Sequence, residues 1–417
     1  MKKFVAVAMS AAMVCGALTG CSSSSSSTTA TTAAAAEETT AAEGETAAEA
    51  AETTGDKVVK IGVFEPQSGD NGAGGKQEIL GMQYANQETP TVEIGGETYQ
   101  VELVYADNQS SNDKAPSAAQ QLVSAGVSIV LGSYGSGVSI AASDTFGDAG
   151  VPAMGVTCTN PNVTAGNSHY FRICFLDPFQ GTVLANYAKD ELSATKAYCL
   201  AKQGDDYSMG LCEYFKKAFG EENCISETFP DGTSDFSSYV TNAKNQGCDV
   251  FYSPVSIEAA ALIIDQADTQ SLGMPILAGD TWDSNVITAA AQGKNVDISV
   301  TTFYQEGGNA EFDAGFKAWL NSDATALANN NGNDMISAVS AMGYDAYYVA
   351  LEALKAAGST DPAAVLAALP SVSYTGVTGL IEFDEIGDAK RDTAFVKHCN
   401  TETGEWEFVK EQSVAEQ

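Results

Sequence analysis

The sequence predicts an α/β protein of two similar lobes, each a doubly wound parallel sheet covered by helices. Three observations carry this. Short β-branched runs alternate with helix-length amphipathic segments, the pattern that puts helices on both faces of a parallel sheet. That alternation occurs twice along the chain. The region from Lys57 onward, about 360 residues, is also too long for one ordinary core and suits two domains.

The first set of strand runs lies at 58–64 ("VVKIGVF"), 99–105 ("YQVELVY"), 128–132 ("SIVLG") and 151–156 ("VPAMGV"). The second set lies at 197–203, 224–229, 249–254 ("DVFYSP") and 275–279 ("PILAG"). Between them run helical patterns such as "APSAAQQLVSAG" and "SIEAAALIIDQADTQSLG"; in the latter, Ala260, Ile263, Ile264 and Ala267 share one face. The tail, from "GVTGLIEF" onward, reads as short antiparallel strands with "DEIGD" (384–388) as a turn. In sheets of this kind ligands sit off the carboxyl ends of the strands, so the loops there carry the functional argument.

Ahead of the folded region, Lys2 and Lys3 precede an apolar stretch from Phe4 to Leu18, with small residues around Gly20 and Cys21. This is the layout of a secretory signal peptide, too short to span a bilayer. "LTGC" (18–21) resembles a bacterial lipobox, which makes Cys21 the expected lipidated N-terminus, held by burial of acyl chains in the membrane. Residues 22–56 contain no aromatic and almost no large apolar residue, so they cannot offset the entropy of ordering and read as a tether. The expected organisation is signal peptide 1–20, lipidated Cys and tether 21–56, and the two lobes thereafter.

Fifty-four acidic residues against 20 basic give a net charge of −34, which argues against nucleic acid or an anionic lipid surface as a direct partner. After residue 21 no apolar run reaches membrane-spanning length. The cysteines beyond it, Cys158, Cys174, Cys199, Cys212, Cys224, Cys248 and Cys399, are odd in number and unevenly spaced, which is no disulfide framework. Cys199 and Cys224 fall on neighbouring strands, but no bond between them is expected. His169 and His398 stand far apart, so neither a zinc site nor any other metal or cofactor is expected.

The glycine-rich "SGDNGAGGK" (68–76) follows the first strand. It fits neither phosphate fingerprint. A Walker loop needs Gly where Asp70 stands and Ser or Thr where Gln77 stands, and the dinucleotide spacing fails at residue 77. Its glycines suit instead a backbone turn lying close to a small ligand. "LGSYGSGVSIAASD" (131–144) and "VPAMGVTCTNP" (151–161) are each a strand followed by a small polar loop. Backbone N–H groups at the helix that opens near Ser136, with the hydroxyls of Ser136 and Thr159, suit a carboxylate. By default Ser136 is a helix cap, Asp280 after "PILAG" another, and Tyr207 in "GDDYSMG" a packed aromatic. An enzyme is not expected: there is no G-x-S-x-G elbow and no evident partner for either histidine.

From about Lys60 to Phe408 the chain resembles the solute-binding proteins of branched-chain amino-acid ABC transporters, which have the type I periplasmic binding protein fold. The resemblance rests on "KIGVFEPQSG", "VELVYADNQSS", "LGSYGSGVSIAASDTFGDAGVP", "FPDGTSDFSSYV", "ILAGDTWDS", "GYDAYYVALEAL" and "YTGVTGLIEFDEIGD", in register. It implies two lobes joined by a three-crossover hinge near 175–179, 302–305 and 374–379. Lobe 1 is then 57–176 plus 304–376, and lobe 2 is 177–303 plus 377–417. It implies no catalysis but capture of a small zwitterion, an amino acid by expectation, and delivery by a monomer to an ABC permease on the outer face of the cytoplasmic membrane. A sensory binding protein for a membrane receptor, or an importer component for an amide, peptide or aromatic acid, is the alternative.

The resemblance also places ligand contacts. The α-carboxylate falls to Ser136 and Thr159, with the backbone of Thr157, and the α-ammonium to Asp280; Gly135 is a further expected contact. Tyr207 closes over the ligand, and Tyr134, Trp282 and Tyr304 are candidates to fill side-chain space. Two departures appear. Family members carry an aromatic where this chain has Gly74, and another where it has Ser256, which points to a bulkier or more polar ligand than leucine.

Overall fold

The computed structural model describes residues 57–413. The signal peptide, Cys21 and the tether expected from the sequence lie outside the described residues.

The first sheet orders its strands β2-β3-β1-β4-β5-β6. These are β1 Lys57–Glu65, β2 Thr91–Ile94, β3 Glu97–Asp107, β4 Ile129–Leu131, β5 Ala153–Gly155 and β6 Tyr170–Arg172. All neighbours are parallel except the β2–β3 edge pair. The run "VVKIGVF" lies at the centre of this sheet, which is why Ile61, Val63 and Phe64 are fully buried. The second sheet uses β7 Ala197–Lys202, β8 Cys224–Phe229, β9 Val250–Tyr252, β10 Ile276–Ala278 and β11 Ile298–Thr302. A hairpin, β12 Ser373–Gly376 with β13 Gly379–Glu382, stands apart, and β14 Thr393–Asn400 with β15 Glu405–Ser413 completes the second sheet. Its order is β15-β14-β11-β10-β9-β7-β8, with β14 and β15 antiparallel at one edge.

Helix Gly72–Glu88 packs against helix Ala338–Ala357, and two glycines set how closely they cross. A Cβ on Gly81 would lie 1.8 Å from the Ser340 carbonyl oxygen, and one on Gly343 would lie 2.2 Å from that of Glu78. The close crossing carries Gln77 and Glu78 inward, and both are buried. Gln77 Nε2 donates to Asn285 Oδ1 of the second lobe at 2.9 Å and to Asn330 Oδ1 at 3.1 Å.

The chain leaves the first sheet after Arg172, returns to the first-lobe core as helices and a hairpin after Thr302, and enters the second sheet again at Thr393. The third crossing therefore falls in 383–392, later than the 374–379 expected from the sequence. The physical reason is the β12–β13 hairpin, which stays on the first lobe: Tyr374 stacks on Tyr348 at 5.9 Å, and Phe383 meets Phe171 edge-on at 5.2 Å. Arg391 ties the crossings together. Its Nε donates to the Ile173 carbonyl at 2.5 Å and its Nη1 to that of Thr378 at 2.7 Å. Deeper in, Lys397 Nζ meets Asp283 Oδ2 at 2.9 Å, with both side chains buried.

The seven cysteines among the described residues are free thiols, and all but Cys224 are buried. Among the described residues no helix is long and apolar enough to cross a membrane.

Candidate functional site

Both sheets turn the carboxyl ends of their parallel strands toward one cleft. From the first lobe, β4 delivers the loop 132–135 and the start of helix Ser136–Ala149, and β5 delivers the loop 156–160. From the second, β7 leads into helix Asp206–Phe219 and β10 into the short turn Asp280–Trp282. A cavity of about 250 Å³ lies between them, walled by Tyr134, Gly135 and Ser136 on one side and by Tyr207 and Thr281 on the other.

The hydroxyl wall is held from behind. Ser136 is buried, and its Oγ accepts from the Asn160 backbone N–H at 3.2 Å, joining the two first-lobe loops. That leaves its proton free to donate, which is the polarity a carboxylate needs. Ser136 is the first residue of its helix, where backbone N–H groups are unpaired. The Thr159 loop is organised by Arg172: its Nη1 donates to the carbonyls of Cys158 at 3.0 Å and Asn160 at 2.6 Å. The same guanidinium pairs through Nε with Asp388 Oδ1 at 2.7 Å, so the "DEIGD" turn acts as a buried anchor. Thr159 Oγ1 is buried and stands by the Asp177 carboxyl.

Asp280, 2 % exposed, lies buried next to Tyr207 of the second wall. One oxygen, Oδ1, accepts from Gln180 Nε2 at 2.6 Å and from the Tyr207 hydroxyl at 2.9 Å. Burial pushes its carboxyl up to about 6, and those two donors restrain the rise. Gly279 makes this approach possible, since a Cβ there would lie 2.3 Å from the Tyr207 oxygen and 2.5 Å from Gln180 Oε1. Tyr207 is fixed by the helix start it belongs to, where Asp205 accepts from the Ser208 N–H at 2.9 Å.

The structure thus gathers Tyr134, Gly135, Ser136 and Tyr207 on the cavity wall, and sets Asp280, Thr157 and Thr159 among the buried residues behind it. The Thr157 hydroxyl donates to Glu78 Oε2. Trp282 and Tyr304 do not reach the cavity. Trp282 packs in the second-lobe core with its indole N–H on the Val255 carbonyl at 3.0 Å, and Tyr304 packs in the first-lobe core with its hydroxyl on Asp313 at 2.7 Å. Large rings at strand ends fill core volume more readily than cleft walls, and the indole finds its acceptor there.

Tyr134 takes the space that Gly74 leaves. A Cβ on Gly74 would lie 2.4 Å from the Tyr134 ring, and the Tyr134 hydroxyl reaches across the cleft to the Thr281 carbonyl at 2.9 Å. Further cross-lobe bonds accompany it. Asn160 Nδ2 donates to the Asp206 carbonyl at 2.8 Å, and Lys202 Nζ meets Asp70 at 2.5 Å. The lobes are closed on one another.

Several buried acids near the cleft escape a reading of the sequence. Glu65, at the end of β1, is fully buried and accepts from the Tyr134 N–H at 2.7 Å. Burial, with the Glu78 carboxyl beside it, holds Glu65 well above the usual carboxylate range, and burial raises Glu78 to about 7. Asp177, three residues before Gln180 on the same helix, has both oxygens buried; burial pushes it up to about 8, and the Thr159 hydroxyl restrains the rise. A charged residue closing an otherwise apolar strand was the available signal for Glu65. "DPFQ" at a helix start was the signal for Asp177 and Gln180.

A cleft between two α/β lobes, with Ser136 on one wall and, on the other, Tyr207 bonded to the buried Asp280, defines a two-lobed small-molecule binding protein. Residues 58–401 match the periplasmic binding protein family, and the chain belongs to it. It is 30 % identical over 344 residues to the Leu/Ile/Val-binding protein homolog 2 of Brucella abortus, covering 79 % of this chain and 87 % of that protein. The crystal structure of a leucine-binding protein from Thermotoga maritima superposes with a TM-score of 0.74 at 29 % identity, over 86 % of this chain and 100 % of that one. A branched-chain amino acid transporter substrate-binding protein from Streptococcus pneumoniae, solved with isoleucine, gives 0.73 at 26 % identity, over 86 % and 99 %.

Proposed function

We propose that the protein captures an α-amino acid between its lobes and delivers it to an ABC permease in the membrane, with no chemistry done on the ligand. The observation that carries this is Asp280. It is a buried carboxylate with two donors on one oxygen, one of them the hydroxyl of Tyr207, which lines a cavity that also presents Ser136 at a helix start. In this reading the α-ammonium meets Asp280 and the α-carboxylate meets the Ser136 hydroxyl, the nearby backbone N–H groups and the Thr159 hydroxyl. The names of the relatives, Leu/Ile/Val-binding homologues and amino-acid transporter components, support the same class of solute. Closure removes water from the charge contacts and strengthens them. Cys21 carries the lipid that keeps the protein at the outer face of the cytoplasmic membrane; a Cys21→Ser chain released into the soluble fraction is the expected outcome for that anchor.

The test is thermal unfolding of refolded, ligand-stripped protein against the common amino acids and their desamino analogues. A ligand at a hundred times its dissociation constant stabilises by about 2.7 kcal/mol, a shift of a few degrees for a protein of this size. A shift with an amino acid and none with its desamino analogue supports the reading. Equal shifts with both would remove the role given to Asp280.

A further inference from the structure

Resting on the amino-acid reading above, we infer that the captured amino acid has a side chain ending in nitrogen donors (an amide, an ammonium or a guanidinium) and not a branched aliphatic one. The cavity beside Ser136 and Tyr207 has no leucine, isoleucine, valine or methionine side chain on its wall. Ser256, where family members carry an aromatic, also lines it.

Asn112 and Gln203 line the same cavity, each with a side-chain carbonyl to offer a ligand N–H.

Charge favours the same side-chain chemistry. Three aspartates line the cavity, Asp70, Asp205 and Asp231, against the single cation Lys202. That one ammonium is shared, at 2.5 Å from Asp70 of the first lobe and 2.7 Å from Asp231 of the second. The acid excess repels an acidic side chain and attracts a cationic one. An aliphatic side chain would displace water from these groups and return no hydrogen bond. Sites built to bond a polar group discriminate strongly against the analogue that lacks it.

The experiment is isothermal titration of the refolded full chain with glutamine, lysine, arginine, glutamate and leucine. At least one of the nitrogen-bearing ligands is expected to bind about tenfold or more tightly than leucine and glutamate, and the amide and cation arms tell which donor the site takes. Leucine or glutamate binding as tightly as the best nitrogen-bearing ligand overturns the inference and leaves the amino-acid reading standing. Binding of none of the amino acids overturns the amino-acid reading and this inference together.

Discussion

Replacing Asp280 by Asn removes a charge while keeping the shape and one acceptor oxygen. In the unliganded protein the change is mild. Asn Oδ1 still accepts from Gln180 and Tyr207, and the burial that pushes the carboxyl up to about 6 no longer acts on a charge. Stability is therefore expected to hold or rise slightly. Binding is expected to suffer, because the ligand ammonium loses the anion it meets in a site of low polarity. Losing one member of a buried, hydrogen-bonded charge pair costs about 2–5 kcal/mol, and the retained amide oxygen keeps the loss toward the lower half of that range. At 1.4 kcal/mol per decade this is roughly a 30- to 300-fold rise in Kd. Calorimetric titration of the best ligand into parent and variant reads it directly. A variant within about threefold of the parent would refute the reasoning, since no effect of that size survives loss of a buried counter-charge.

Other outcomes follow from the same geometry. Because the Asp280 carboxyl titrates near 6 in the unliganded cleft and must be ionised to meet an ammonium, affinity is expected to fall about tenfold between pH 7 and pH 5, measured by titration calorimetry across that range. Asp177 titrates near 8 in the folded protein against an ordinary 3.8, so the native state holds its proton and the group's contribution to stability is lost as pH rises from about 4 to 8. Asp177→Asn removes that slope, so its Tm relative to the parent should climb steadily between about pH 4 and pH 8. Arg172→Met leaves the Asp388 carboxylate buried and unpaired and frees the loop carrying Thr159; a loss of about 3–5 kcal/mol in denaturant unfolding is expected. Tyr134→Phe removes only the hydroxyl that bonds the Thr281 carbonyl across the cleft, and should weaken binding by about tenfold or less through easier opening.

Much of the fold was legible because its central strands are continuous apolar runs. "VVKIGVF" and "AYCLA" lie inside sheets covered on both faces, and nothing but a buried strand accounts for them. The strands missing from that reading are short or polar. β6 has three residues, β2 sits at an edge, and in "ISVTT" the threonines of β11 look like loop until Thr302 is seen buried beside Asp283. The third crossing was misplaced because "YTGVTGL" reads equally as a connection or a hairpin; only its packing on Tyr348 and Phe171 decides.

At the site, position at strand ends reads Ser136 and Asp280 by default as helix caps, and it is the family resemblance that gives them ligand roles. The sequence could not say that Tyr134 rather than a residue at 74 fills the space between the loops, since that depends on a ring crossing the gap to another segment. Nor could it separate Trp282 from the cleft, because adjacent residues in the turn after β10 face opposite ways: Asp280 toward Tyr207 and Trp282 toward Val255.

The most direct test of the account is a crystal structure of the protein grown with the amino acid that raises its Tm most. The ligand is expected between the lobes, its ammonium within hydrogen-bond distance of the Asp280 carboxylate and its carboxylate on Ser136 and Thr159. A ligand bound outside the cleft, or one lying in it with its ammonium away from Asp280, would contradict the account.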